Sequence, residues 1–76
     1  MYRKRAEDIV GIFKEEGIQA ECVFKPGSAA NVRAVSFIID ITKYKVLENI
    51  LKEFKDLKLR MDHAPEGIAG ERVYLW

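Results

Sequence analysis

The sequence predicts a two-layer α+β domain in which two helices cover one face of a four-stranded, mostly antiparallel sheet. Three observations lead to this prediction. Apolar residues recur every three or four positions in two segments, and at every second position in four others. These segments follow one another in the order αββαββ, with proline or glycine between the paired strands. A chain of 76 residues has room for a single domain, residues 1–76, with a thin core.

The first helix is predicted from Arg5 to Glu16. Gly17 follows at once, and glycine favours the left-handed backbone conformation that often ends a helix. The apolar residues of this segment are three or four positions apart, so they share one face of the helix. They are Ala6, Ile9, Val10 and Phe13.

Two alternating patterns then predict a β-hairpin. The apolar positions are Ile18, Ala20, Cys22 and Phe24 in the first strand, and Val35, Phe37, Ile39 and Ile41 in the second. Between them, Pro26-Gly27 favours a turn, because proline fixes φ and glycine allows a positive φ. The alternative is a phosphate-binding loop, which needs several glycines or a Gly-Lys-Ser/Thr motif and a helix after it. We therefore expect a hairpin without a bound nucleotide, and Cys22 as a small buried residue.

The second half of the chain predicts another helix and another hairpin. Thr42 is the predicted N-cap of the second helix. Apolar residues of that helix are Leu47, Ile50, Leu51 and Phe54. A third strand is predicted around Leu59, where apolar and charged residues alternate, and a short fourth strand at residues 71–76.

The halves 4–41 and 43–76 are predicted to form an internal αββ repeat. Short matches support this prediction: Lys14-Glu15 corresponds to Lys52-Glu53, and Pro26, Ala30 and Arg33 correspond to Pro65, Ala69 and Arg72. Chance similarity within a charge-rich chain is the alternative. A helix with one hairpin cannot cover its own apolar face, so both units are expected to share one core.

Composition limits the classes of function. The net charge is +1, so any attraction of nucleic acid has to come from local separation of charge. The chain shows neither a secretion signal nor an apolar segment of ~20 residues, so we expect a cytoplasmic protein that does not enter membranes. Its polar residues are mostly charged, a bias that is typical of heat-tolerant proteins.

A nucleic-acid-binding site, with DNA as the expected partner, is predicted on the polar face of the sheet. Basic residues beside aromatic side chains suit phosphates and stacked bases. The basic residues expected there are Arg33, Lys58, Arg60 and Arg72, and the aromatic residues are Tyr74 and Trp76. Carboxylates expected on the same strands are Glu21, Asp62 and Glu71. They weaken the positive potential, and an evenly charged solvated surface is the alternative interpretation.

Tyr74 and Trp76 also predict a protein interface. The last strand is expected at an edge of the sheet, where free backbone groups and aromatic side chains favour pairing with a second copy or with a larger protein. The alternative is that Trp76 folds back over its own core.

The chain is not expected to be an enzyme, and neither a cofactor nor a metal is predicted. His63 is the only histidine, whereas a metal site needs three or four ligands. Acid–base catalysis needs carboxyl groups held across a cleft with separated pKa values. An active site built from Asp40, Asp62 and His63 is the one enzymatic alternative.

Four short motifs occur in a fixed order: Gly17-Ile18 after a helix, Pro26-Gly27 in a turn, Leu59-Arg60 in a strand and Pro65-Glu66-Gly67 in a second turn. This order resembles the small α-domain that precedes the motor in FtsK-type DNA translocases. The first turn has Pro and Gly reversed relative to that family, and the family's Thr-Arg-Tyr and closing Pro-Asn are missing. The resemblance implies association with DNA and ring-like assembly. It implies no ATP hydrolysis, because the motor sequence is not part of these 76 residues.

Overall fold

The computed structural model describes residues 1–76 and contains two helices and four strands in the predicted order. These elements are α1 Arg3–Glu15, β1 Ala20–Phe24, β2 Val32–Ile39, α2 Tyr44–Leu51, β3 Leu59–His63 and β4 Glu71–Leu75. All neighbouring strands are antiparallel, and their order in the sheet is β1-β2-β4-β3. The predicted α+β class is therefore confirmed. Neither helix combines the length and the apolar content that crossing a bilayer requires.

The core lies between the helices and one face of the sheet. Phe13 of α1 and Phe37 of β2 pack against each other in it, with their ring centroids 4.4 Å apart and the ring planes tilted by 33°. The two central strands supply four more residues to this layer: Val35, Ile39, Val73 and Leu75. Two buried residues of α2, Leu47 and Ile50, belong to the same cluster. Both helices therefore cover the same face of the sheet, as the alternation of apolar residues predicts.

The end of α1 shows why the chain turns back at Gly17. The N–H of Gly17 donates to the Lys14 carbonyl at 3.0 Å, and the N–H of Ile18 donates to the Phe13 carbonyl at 2.9 Å. This pair of bonds closes a helix end, and the contact of two buried apolar residues, Ile18 with Phe13, typically accompanies it. The predicted helix end is confirmed.

The first hairpin contains the predicted turn and an unpredicted bulge. The Ser28 N–H donates to the Lys25 carbonyl at 3.1 Å, which closes a turn with Pro26-Gly27 at its centre. Beyond the turn, Val23 pairs with Ala34 but Phe24 pairs with Val32, so Arg33 has no partner in β1. Such a bulge reverses the facing of the residues that precede it. Val32 is therefore buried and β2 begins three residues before the predicted apolar run at Val35.

Two predictions at α2 are wrong. Thr42 does not cap α2, whose N-cap position is Lys43 without a side-chain hydrogen bond. Asp40 instead caps the turn before α2, because its carboxylate accepts from the Thr42 N–H at 2.9 Å and also from the Thr42 hydroxyl. A short 3-10 turn at Ile41–Lys43 separates this cap from α2. The helix then ends at Leu51, and Phe54 packs against the core from an irregular segment. The apolar periodicity could not show whether the helix ends before or after Phe54, because Phe54 faces the core with either helix end.

The prediction that the last strand is an edge strand is also wrong. β4 lies between β2 and β3, and its backbone pairs with both neighbours. Val73 and Leu75 are fully buried at this central position, which explains why β4 occupies it. The edges of the sheet are β1 and β3. Each αββ unit thus places its second strand at the centre, whereas descent of the two units from one repeat stays a prediction.

Candidate nucleic-acid interface

The face of the sheet that points away from the helices is not covered by any other element. We call it the open face. Alternation along the strands and the cross-strand register assign twelve residues to it. They are Glu21, Val23, Arg33, Ala34, Ser36, Ile38, Lys58, Arg60, Asp62, Arg72, Tyr74 and Trp76. All four predicted basic residues and both predicted aromatic residues are among them.

Arg33 reaches the open face through the bulge. Simple alternation places Arg33 in phase with Val35, which is buried under the helices. Because Arg33 is the unpaired residue of the bulge, it lies beside Ala34 on the other face, at the rim of a depression. A local irregularity therefore adds one cation to this surface.

Arg72 is held near the middle of the open face. Its Nη1 donates to Ser36 Oγ at 3.0 Å, and Ser36 is only 1% exposed. The bond satisfies a hydroxyl that would otherwise be costly to bury. Arg72 is itself half-buried, so its guanidinium is positioned by packing as well as by the hydrogen bond.

Arg60 and Asp62 form an exposed ion pair on β3. The Nε of Arg60 lies 3.3 Å from a carboxylate oxygen of Asp62. Exposed pairs of this kind contribute little to stability, so Arg60 can leave Asp62 for another anion at small cost. Asp62 is also the cross-strand partner of Arg72, but the Arg72 guanidinium bonds to Ser36 and forms no ion pair with Asp62.

A shallow depression of about 440 Å³ lies on the open face. Its lining residues combine two guanidinium groups, two aromatic rings, one carboxylate and a small floor: Arg33, Arg60, Tyr74, Trp76, Asp62 and Ala34. Trp76 keeps 43% of its surface exposed. Tyr74 and Trp76 are two positions apart on one strand, which places their backbones about 7 Å apart on the same side.

The open face is more positive than the chain as a whole. It carries four cations and two carboxylates, Glu21 and Asp62, which gives +2, whereas the whole chain carries +1. Glu71 was expected to share this face, but that prediction is wrong. Glu71 pairs with Ile39 and His63 in the rows that point toward the helices.

Tyr74 and Trp76 belong to the depression and not to a sheet edge, because β4 is central. The predicted interface role of these two residues therefore cannot use free backbone groups of β4. Two residues of the site were not predicted as such: Ala34, which forms the floor, and Ser36, which holds Arg72. Ala34 and Ser36 are small residues two positions apart in the predicted second strand, and this spacing could have indicated that they share the polar face of the sheet.

The enzymatic alternative receives no geometric support. Asp62 and His63 are successive residues of β3 and point to opposite faces of the sheet. Asp40 is a cap, and the hydrogen bond from Thr42 lowers the pKa of its carboxyl. Cys22 is half-buried against the core, and burial raises the pKa of its thiol, which keeps the unreactive neutral form. No three His, Cys, Asp or Glu side chains are grouped so that they could hold a metal ion.

Comparison with known proteins finds no matching family model, no matching curated protein and no matching solved structure. The relation to the small domain of FtsK-type translocases therefore stays a prediction from sequence.

Proposed function

We propose that this chain is a small, non-catalytic binding module that holds single-stranded DNA on its open face. The observation that carries the proposal is the depression in which Arg33 and Arg60 flank Tyr74 and Trp76. Arginine binds phosphate in a bidentate manner, and an exposed aromatic ring stacks on any base. The resemblance to a domain of DNA translocases supports DNA as the nucleic acid.

A single strand suits this surface better than a duplex. The open face is a sheet surface on which Trp76 is exposed and Tyr74 is half-buried, and only unpaired bases can stack on such rings. A duplex hides its bases and offers only phosphates, which the two carboxylates of the face partly repel. The expected affinity is modest, because the net charge of the face is small.

The test is a titration of a labelled oligothymidylate, followed by fluorescence anisotropy and by the emission of Trp76, the only tryptophan. We expect binding that quenches Trp76 and weakens with salt, with a log–log slope of about −2 to −3 for three or four phosphate contacts. A duplex of the same length should bind several-fold more weakly. Equal binding of the duplex without quenching would contradict stacking on the open face.

Matched variants locate the site. Arg33→Gln with Arg60→Gln removes two cations from the depression and should reduce the salt slope by about 1.4. Lys45→Gln in α2 with Lys52→Gln at the residue that follows α2 makes the same change of charge in the layer of helices and should leave the slope nearly unchanged. Similar losses in both double variants would show that general charge, and not this surface, attracts DNA.

A further inference from the structure

The outer edge of β3 is an unpaired edge of the sheet. β3 has β4 on one side and no strand on the other. It contains no proline, and its pairing with β4 runs through five residues without a register shift. Proline residues and β-bulges are two of the features that protect natural edge strands from pairing, and β3 has neither. The edge is also apolar on its helix-facing side, since Leu59 and Met61 each keep 39% of their surface exposed.

The hydrogen bonds to β4 show which backbone groups point outward. Lys58 and Trp76 exchange two backbone bonds, of 2.8 Å and 3.1 Å. In an antiparallel pair such bonded positions alternate with unbonded ones, so Arg60 and Asp62 also bond to β4. The N–H and C=O groups of Leu59, Met61 and His63 therefore point away from the sheet toward the free edge.

We propose that β3 pairs antiparallel with β3 of a second copy of this chain, about a two-fold axis at Met61. In this register Met61 lies opposite Met61 of the second copy, and Leu59 lies opposite His63. All three outward-pointing residues then exchange backbone hydrogen bonds with their partners. The result is one continuous sheet with two open faces joined side by side.

Charge complementarity favours this register. On the open face it places Arg60 opposite Asp62 of the second copy and, by symmetry, Asp62 opposite Arg60. Both pairs occupy positions without backbone bonds, where side chains on adjacent strands are closest. The ion pair between Arg60 and Asp62 within each of the two chains is thus exchanged for two ion pairs between the chains, and the number of ion pairs is unchanged.

A register centred on Arg60 fits less well. It places Arg60 opposite Arg60 of the second copy, and like charges at facing positions are unfavourable. It also places His63 opposite Leu57, whose N–H already donates to the Phe54 carbonyl at 3.1 Å. A register shifted by a single residue would bring apolar side chains opposite charged ones.

Two further observations favour β3 over β1, the other edge strand, as the site of pairing with a second copy. A groove of about 210 Å³ between α2 and β3 leaves Leu59 and Met61 available for contact. On β1, the Arg3 guanidinium covers the Phe24 ring at 5.6 Å, and the bulge distorts the end of that edge. Because the paired strand is short, we expect micromolar dimerisation.

Proline at position 61 is the decisive variant. The Met61 N–H points outward, so Met61→Pro removes a bond between copies and none within the chain. Sedimentation of the unaltered chain over micromolar to millimolar concentrations should show a monomer–dimer equilibrium. Met61→Pro should be a monomer throughout, with an unchanged circular dichroism spectrum, and Met61→Val should still dimerise. A strict monomer for the unaltered chain, or a folded Met61→Pro dimer, would overturn the proposal.

A charge exchange tests the register without a proline. Arg60→Asp or Asp62→Arg alone sets like charges opposite each other and should weaken dimerisation about tenfold. The double exchange restores both ion pairs and should recover most of the affinity. Failure to recover would overturn the register. Dimerisation does not depend on the proposed DNA binding, since Met61→Pro leaves the charges of the open face unchanged and can be titrated with DNA separately.

Discussion

The two αββ units have the same order of elements but are covered to different extents. In the first, the thirteen-residue α1 buries three residues and lies across β1 and β2. In the second, the eight-residue α2 buries two, and Leu59 and Met61 of β3 remain partly exposed. A repeated order of elements therefore does not produce equal burial. The first unit contributes most of the core, while the second carries the free edge.

The first unit contributes mainly to the stability of the fold, and the second mainly to the surfaces proposed for binding. Phe13 and Phe37, the aromatic pair of the core, both come from the first unit. The second unit supplies most of the depression on the open face, through Arg60, Tyr74 and Trp76. We therefore expect core substitutions in the first unit to unfold the chain, and substitutions at the edge of the second to change its contacts.

The largest effect is expected from Phe13→Ala. Phe13 is fully buried, and removing a buried phenylalanine costs about 3 to 5 kcal/mol, which is comparable to the whole stability of many small domains. Leu59→Ala in the second unit should cost only about 1 kcal/mol in the monomer, because Leu59 is already partly exposed. Urea unfolding followed by circular dichroism, at concentrations below dimerisation, measures both. Equal losses would contradict the comparison of the two units.

A second large effect is expected at the junction between the units. Gly70 precedes β4 with φ +113°, and a Cβ atom there would lie 2.6 Å from the carbonyl oxygen of Ile39 in β2. Gly70→Ala should therefore destabilise the chain by more than about 2 kcal/mol, through strain and displacement of the central strands.

The matched control for this substitution is Gly11→Ala in α1. No atom lies within 4 Å of a Cβ at position 11, and alanine favours a helix over glycine by about 1 kcal/mol. Thermal unfolding should therefore show opposite shifts for the two substitutions. A neutral Gly70→Ala would mean that β2 and β4 can separate at this point without cost.

The smallest effect is expected from the ion pair that joins the units. Arg5 of α1 donates two hydrogen bonds to Asp56, of 2.7 Å and 2.8 Å, and this contact lowers the pKa of the Asp56 carboxyl. A carboxyl with a lowered pKa stabilises the fold above its unfolded pKa of about 3.9, and this stabilisation is lost as the pH falls through the folded value.

Comparison with Asp56→Asn isolates this contribution. At neutral pH the variant should have a slightly lower urea midpoint than the unaltered chain, and the two midpoints should converge in acid, as Asp56 becomes protonated. Asp8→Asn, which removes an exposed carboxylate of α1 that forms no ion pair, is the control. A difference between the two urea midpoints that persists in acid would show that the charge of Asp56 is not the cause of the difference.

Much of the candidate site could be predicted from local alternation. Arg60, Arg72 and Tyr74 lie on the open face because residues at every second position of a strand share a side. Arg33 could not be placed in this way, since the bulge that turns it outward depends on how the long loop closes. The capping role of Asp40 was missed because Thr42, two residues later, is also a residue type that caps helices.

The sequence by itself determined the αββαββ order, the helix end at Gly17, the turn at Pro26-Gly27 and the face that most strand residues occupy, with Arg33 and Glu71 as exceptions. All of these depend on residues close together in the chain. Only the tertiary structure decided that β4 is central and β3 is the free edge. Strand order depends on the apolar surface that all elements cover together, and Val73 and Leu75 bury theirs completely only between β2 and β3.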